Sequence, residues 1–301
     1  MNSGGAVNID DFSFLKELGR GGCGEVWLGV HKPTGTQVAI KKLFVDPQIP
    51  VVFEHYRREV EILAKCKFPC VLHLFGYTLN QPLCIITPYI TGGSLFDHLV
   101  KRSVYPPLDG TQKTIIAMGI TYAMMRLHDL NIIHRDLKSM NVLLDENLLP
   151  VVCDFGISKV VGESPTQMTV SIGTPHWMAP EQFKSNDYDG KVDVYSFAML
   201  LYEMLTEKLP FTGKNFHQVA YAVVEKGERP HLPRHGNSSI SSLIKTCWNQ
   251  NPKKRPTFRE IFYLFLEGKV KWDGTNHKSV KKFSYCLMEA DKEYRGLTKS
   301  K

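Results

Sequence analysis

Nowhere in the 301 residues is there a run approaching the ~20 apolar residues that cross a bilayer. The opening stretch, MNSGGAVNIDDFSF, has neither a basic start nor the apolar core of a secretory signal. No membrane span is expected, and the chain reads as cytoplasmic. CxxC pairs are absent too. The seven cysteines, Cys23, Cys66, Cys70, Cys84, Cys153, Cys247 and Cys286, are odd in number and scattered, which argues for reduced thiols and against a disulfide framework. Cys66 and Cys70 lack a His or Cys partner set at zinc-like spacing, so burial is expected of them. Charge of one sign is scarce outside the end of the chain. Of the net +7, residues 268–301 alone supply five charges, from nine Lys/Arg against four Asp/Glu, which leaves the rest near neutral. That basic tail matches no nucleic-acid-binding module, so no nucleic-acid partner is expected. At 43% hydrophobic and 22% charged, the composition is that of an ordinary folded protein.

No internal repeat or low-complexity run organises the chain. Residues 12–83 are strand-like, with β-branched alternation in VAIKKL and turn residues in HKPTGT, interrupted by one amphipathic helical pattern over 53–65. After Thr91-Gly92-Gly93 the character changes to long helical patterns, such as 111–128 and 192–205. Residues 268–276 are polar and contain glycine, as at a domain exit. A last helix is expected over 279–294, because Val280, Phe283, Leu287, Ala290 and Tyr294 share one face. It would dock on the helical part, engage a partner or remain a solvated tail.

The chemistry-bearing residues fall into three stretches. GRGGCGEV sets Gly19, Gly21 and Gly24 in a GxGxxG pattern, where missing Cβ atoms let backbone amides approach phosphate oxygens. A dinucleotide fold would need a helix next; VWLGV, a turn and VAIK follow instead, which is a hairpin and suits a glycine-rich flap. Along VAIK, the period of two puts Ala39 and Lys41 on one face and Val38 and Ile40 on the other. A lysine there reaches phosphates only if a carboxylate holds its ammonium. Glu59 of RREVEIL is expected to do so, since Ile62 and Leu63 flank it at helical spacing and Glu61 lies about 200° further round. In IIHRDLKSMNVLLD, followed by VVCDFGISK, a base, a cation and a metal-ligating amide (Asp136, Lys138, Asn141) are joined by the carboxylate of Asp154. Phosphoryl transfer calls for this set, because its loose transition state needs positioning, cations and one proton acceptor.

With these motifs, and with GTPHWMAPE, DVYSFAMLLYEM, GERPHLP, Cys247-Trp248 and NPKKRPTF, the chain resembles the eukaryotic-type protein kinases, most closely their tyrosine-kinase-like group. The resemblance implies an α+β, bilobal fold with a small β-rich N-lobe carrying one main helix and a larger, mainly α-helical C-lobe. It implies an N-terminal extension over 1–11, a kinase domain over 12–267 (N-lobe 12–86, hinge 87–93, C-lobe 94–267) and a basic tail over 268–301. It further implies ATP and Mg²⁺ as cofactors and transfer of the γ-phosphate to Ser/Thr hydroxyls of protein substrates in intracellular signalling. Asp136 would be the base, Lys138 would contact the transferred phosphate, Asn141 and Asp154 would hold Mg²⁺, and Lys41 would pair with Glu59. Gly19, Arg20, Gly21, Gly22, Cys23 and Gly24 would cover the phosphates, with Val26, Ala39 and Leu143 enclosing adenine. Thr87 stands at the gatekeeper position, and Pro88 and Ile90 would bond adenine through backbone atoms. Leu63, Leu74, His134 and Phe155 would stack into a spine anchored by Asp193, and Glu181 would pair with Arg255.

Some positions depart from the family pattern. Pro88 replaces a common Glu but keeps the carbonyl that matters. Cys23 replaces an aromatic at the flap tip, and Phe68-Pro69-Cys70 replaces His-Pro-Asn. A pseudokinase scaffold would have lost Lys41, Asp136 or Asp154, all of which are present. A tyrosine kinase would carry a different loop from DLKSMN. By resemblance, Ile157 after Asp-Phe-Gly implies a threonine preference. Arg135 before Asp136 implies a switch by phosphorylation of the loop 154–181, chiefly at Thr169, with Thr166 and Ser171 as secondary sites and a transient dimer for trans-autophosphorylation.

Overall fold

The computed structural model describes residues 4–21, 24–44, 50–101, 103–160 and 174–299. It divides into two units. One comprises Met1–Lys67, Val71–Thr91 and Asp154–Gly156; the other comprises Phe68–Cys70, Gly92–Cys153 and Ile157–Lys301. The first is small and β-rich with one long helix, and the second is larger and mainly helical, as the α+β bilobal kinase fold requires.

The small unit is built on β1 (Phe12–Gly21), β2 (Gly24–His31), β3 (Thr36–Leu43), helix α1 (Pro50–Lys65), β4 (Gly76–Tyr77) and β5 (Cys84–Pro88). The strands form one antiparallel sheet in the order β1-β2-β3-β5-β4. Val38 and Ile40 of β3 bury one face with Cys84 and Ile86 of β5 and Phe12 of β1, while Trp27 and Phe75 pack at its margin. Lys41 lies opposite Ile85 and Ala39 opposite Thr87. The alternation read from VAIK is therefore the real one: Ala39, Lys41 and Thr87 share the other face. Helix α1 begins at Pro50, a residue tolerated in a first turn because its missing N–H has no partner there anyway. It buries Tyr56, Glu59, Val60, Ile62 and Leu63, a stripe at helical spacing. Residues expected as an N-terminal extension add to the sheet edge. The Val7 N–H donates to the Tyr77 carbonyl at 2.9 Å, and Asn8 caps a 3₁₀ turn, Ile9–Asp11.

The large unit runs through α2 (Leu95–Val100), α3 (Gly110–Asp129), β6 (Ile132–Ile133), β7 (Val142–Leu144), β8 (Pro150–Val152), β9 (Lys159–Val160), α4 (Lys191–Thr206), α5 (Phe216–Val224), α6 (Ser238–Cys247), α7 (Phe258–Leu266) and α8 (His277–Lys299). Helix α3 starts at a reciprocal cap in which Asp109 accepts from the Gln112 N–H and Gln112 from the Asp109 N–H, each at 2.8 Å. All thirteen residues from 192 to 204 of α4 are buried, so this helix is enclosed on every side and not merely along one stripe. It forms the axis on which α6 and the loops of the site rest. Between β6 and β7 the chain is short and polar, and the paired strands β6–β9 and β7–β8 brace it.

The last helix is longer than the 279–294 read from its pattern, and it docks on α3 and α7. Its buried line is Val280, Ser284, Leu287 and Asp291, whereas Phe283 and Ala290 of the expected face are only half-buried. The polar members are accommodated because Arg126 of α3 pairs with Asp291 and because Ser284 Oγ donates to the Lys281 carbonyl at 2.8 Å. Among the described residues no helix is long and apolar enough to cross a membrane.

Candidate active site

In the small unit the site begins with Lys41. Its Nζ donates to both carboxylate oxygens of Glu59, at 2.9 and 2.8 Å, and to Asp154 Oδ1 at 3.2 Å. Burial works against the ammonium, but the charges of Glu59 and Asp154 outweigh it and hold Lys41 protonated well above its ordinary range. Glu61, the rival carboxylate, is exposed and instead lies 3.5 Å from Arg57 on the same helix. The helical phase of α1 thus selects Glu59.

The β1–β2 hairpin carries the glycines, with Gly19 opposite Val26 and Gly21 opposite Gly24. Gly22 and Cys23 lie outside the described residues. A Cβ at Gly24 would stand 2.4 Å from the Lys42 carbonyl oxygen, so packing against β3 demands glycine there. At Gly19 and Gly21 a Cβ would meet none of the described residues within 4 Å, and neither takes a left-handed φ. The described fold does not call for glycine at these two positions, and a missing Cβ leaves their backbone open to close approach. The Arg20 guanidinium is engaged by two carboxylates. Its Nη2 donates to buried Glu25 at 2.6 Å and its Nε to Glu17 at 3.1 Å. Val26, Ala39, Pro88 and Ile90 are half-buried, and Thr87 is buried on the Lys41 face. Leu63 and Phe155 are buried and Leu74 half-buried.

In the large unit the segment 136–141 gathers around one carboxylate. Asp136 Oδ2 accepts from Lys138 Nζ at 2.6 Å and from Asn141 Nδ2 at 3.0 Å, while its Oδ1 accepts from Thr174 Oγ1 at 2.9 Å. Lys138 Nζ also donates to Thr174 Oγ1 at 2.7 Å. Asn141 Nδ2 donates to the Asp136 carbonyl as well, at 2.8 Å, so its amide oxygen is the atom turned away from Asp136. That oxygen and the Asp154 carboxylate are hard donors of the type that suits Mg²⁺. Leu143 sits half-buried on β7.

This segment hangs from α4. Asp193, fully buried, accepts the backbone N–H of His134 at 2.9 Å and of Arg135 at 2.8 Å, and bonds His128 Nε2 at 2.8 Å. Burial alone would push its carboxyl up; the hydrogen bond and charge of His128, the charge of His134 and the Arg135 N–H overcome it and hold the group below its ordinary value. The guanidinium of Arg135 is buried 6.0 Å over the Tyr188 ring. Glu181 and Arg255 form the expected bidentate pair, at 2.6 and 2.9 Å, and Arg255 also donates to the Asn249 and Lys191 carbonyls. Thr166, Thr169 and Ser171 lie outside the described residues.

Three participants escaped the sequence reading: His128, Tyr188 and Glu203. The last is a second carboxylate buried in α4, bonded to Ser139 and to Trp177. A lone glutamate inside LLYEM was the available signal, since burying a charge is costly unless partners meet it.

A family model described as the protein kinase domain matches residues 12–264. Serine/threonine-protein kinase STY17 of Arabidopsis thaliana is 36% identical over 259 residues, which is 86% of this chain and 45% of that protein. Serine/threonine-protein kinase STY46 of the same plant is 35% identical over 262 residues, 87% of this chain and 45% of the other. The RGS domain-containing serine/threonine-protein kinase A of Dictyostelium discoideum is 39% identical over 258 residues, 85% of this chain and 22% of that protein. The chain therefore spans less than half the length of these relatives.

Proposed function

Because this chain belongs to the protein kinase family, we propose that it transfers the γ-phosphate of ATP to serine or threonine hydroxyls of protein substrates. The observation that carries the reading is the Asp136 carboxylate, oriented at once by Lys138, Asn141 and Thr174. A carboxylate so held accepts the proton of an incoming hydroxyl without having to reorganise, and the adjacent Lys138 ammonium meets the charge of the transferring phosphoryl group. Lys41, fixed by Glu59, binds phosphate oxygens of ATP. Asn141 and Asp154 would hold Mg²⁺, which neutralises charge on the triphosphate. Gly19 and Gly21 let the backbone of the hairpin, that of Arg20 included, approach the phosphates, while the Arg20 side chain braces the hairpin through Glu17 and Glu25. Val26, Ala39, Thr87, Pro88, Ile90 and Leu143 receive the adenine.

This proposal takes 12–267 as the catalytic domain and places the protein in the cytoplasm. It assigns a threonine preference to Ile157. It further assigns a switch to phosphorylation at Thr169, with Thr166 and Ser171 secondary, formed in a transient dimer and read by Arg135. The relatives named as serine/threonine kinases and the DLKSMN loop support hydroxyl acceptors of that class. The test is purified protein incubated with ATP and Mg²⁺, with phosphorylated residues mapped by mass spectrometry beside a Lys41→Met control. Phosphoserine and phosphothreonine in the wild type only are expected. ATP binding without any transfer would turn the reading to a scaffold, and phosphotyrosine alone would turn it to the tyrosine class.

A further inference from the structure

Glu203 lies three turns along α4 from Asp193 and is 2% exposed. Its Oε1 accepts from Ser139 Oγ at 2.5 Å, and its Oε2 accepts from the Trp177 indole Nε1 at 2.7 Å and from the Ser139 backbone N–H at 3.4 Å. Trp177 is tied to the same helix a second time, its carbonyl accepting from Ser196 Oγ at 2.9 Å. One carboxylate therefore holds two separate segments. Ser139 sits between Lys138 and Asn141, and Trp177 closes the 3₁₀ turn Pro175–Trp177 that Thr174 caps. Among the described residues, these are the segments that supply the contacts to the Asp136 carboxylate.

We infer that Glu203 is a positioning residue for phosphoryl transfer, fixing segment 136–141 against segment 174–177 so that Lys138 and Thr174 meet Asp136 in working geometry. The inference rests on the kinase reading above and adds a residue to it. Three donors converge on two oxygens, and an ionised carboxylate is the form that accepts from all of them. A neutral acid must turn one oxygen into a donor, which removes an acceptor from Ser139 or Trp177 and weakens whichever bonds remain, because charge-assisted bonds are about twice as strong as neutral ones. Burial pushes the Glu203 carboxyl up to about 7, against the bonds from Ser139 and Trp177 and the charge of Lys138. Of the elements packed on α4, the turn Pro175–Trp177 carries His176, whose Nε2 engages the Lys214 carbonyl at 3.1 Å. Helix α6 and the turn Pro252–Lys254 carry Lys245, Lys253 and Lys254, all exposed.

The experiment compares wild type with Glu203→Gln, which keeps the shape and one acceptor but removes the charge. With ATP, Mg²⁺ and a peptide acceptor, kcat is expected to fall on the order of 10-fold, with KM for ATP unchanged, as displaced catalytic groups lower turnover without touching nucleotide binding. The wild-type decline in kcat as pH is lowered through neutrality is expected to vanish in the variant. A second readout needs no turnover: the Trp177 indole N–H resonance, assigned by its loss in Trp177→Phe, should titrate near neutral pH in wild type and stay flat in Glu203→Gln. Turnover in wild type with an unchanged kcat and pH profile in the variant overturns this inference alone, and so does a Trp177 resonance indifferent to pH. Absence of turnover in wild type overturns the kinase reading, and the positioning role with it.

Discussion

Asp193 accepts the backbone N–H of Arg135 at 2.8 Å, and Arg135 sits at φ +73°, in the left-handed region that side-chain-bearing residues avoid. The buried carboxylate therefore stabilises a backbone conformation that costs about 1–3 kcal/mol when unsupported, and that conformation presents Arg135 and Asp136 in succession.

Replacing Asp193 with Asn leaves one acceptor oxygen where His134 and Arg135 each need one. The loss is expected to be about 2–3 kcal/mol, the range for a buried hydrogen bond to a charged group, read as a lower urea midpoint, together with reduced phosphotransfer. The pH dependence has a definite sign. Because the folded carboxyl is held below its ordinary 3.8, its contribution is present above that value and is lost as pH falls through the folded value. Wild type should lose stability on acidification in that window, and Asp193→Asn should lose less. Equal acid sensitivity of the two would contradict this role.

The choice between Glu59 and Glu61 is open to direct measurement. Glu59→Gln removes the charge that holds Lys41 and is expected to lower phosphotransfer by ~10²-fold, as loss of an electrostatic positioning group does. Glu61→Gln breaks only an exposed pair with Arg57, worth at most about 0.5 kcal/mol, and should behave as wild type in both activity and melting temperature. A larger activity loss from Glu61→Gln than from Glu59→Gln would reverse the assignment.

The glycines of the hairpin should part company on substitution. Gly24→Ala forces a methyl group against the Lys42 carbonyl at 2.4 Å and is expected to lower stability by about 1–3 kcal/mol, the range for overpacking. Gly21→Ala meets no atom of the described residues within 4 Å, so stability should be kept while KM for ATP rises. Thermal melts beside steady-state kinetics separate the two, and an unchanged KM in a well-folded Gly21→Ala protein would remove Gly21 from the phosphate site.

Docking of α8 depends on the pair between Arg126 and Asp291, whose side chains are both largely buried. Asp291→Ala leaves the guanidinium with the Tyr122 hydroxyl at 3.3 Å and the more distant Asp129 at 3.9 Å, and is expected to cost up to about 3 kcal/mol, the low end for removing one partner of a buried pair. Replacing both, as Arg126→Met with Asp291→Leu, should restore much of it. A chemical melt of the three proteins checks the order, and an Asp291→Ala protein as stable as wild type would show α8 to be held by its apolar contacts alone.

What the sequence determined by itself are the features whose partners lie within one strand, one helix or one loop. The two-residue period of VAIK placed Ala39 and Lys41 on a common face, and the helical angle between Glu59 and Glu61 chose the lysine's partner. Asp136, Lys138 and Asn141 stand so close in the chain that any folding of the loop brings them together. Only the tertiary structure decided the contacts that span long separations. Glu203 reaches Ser139 across 64 residues, Arg135 reaches Asp193 across 58, and Arg126 reaches Asp291 across 165. A repeat of two or 3.6 residues tells which way a side chain points but not what comes to meet it. For apolar residues that suffices, since any apolar neighbour serves. For a buried carboxylate it does not, because its cost is offset only by specific donors whose arrival depends on how whole helices pack.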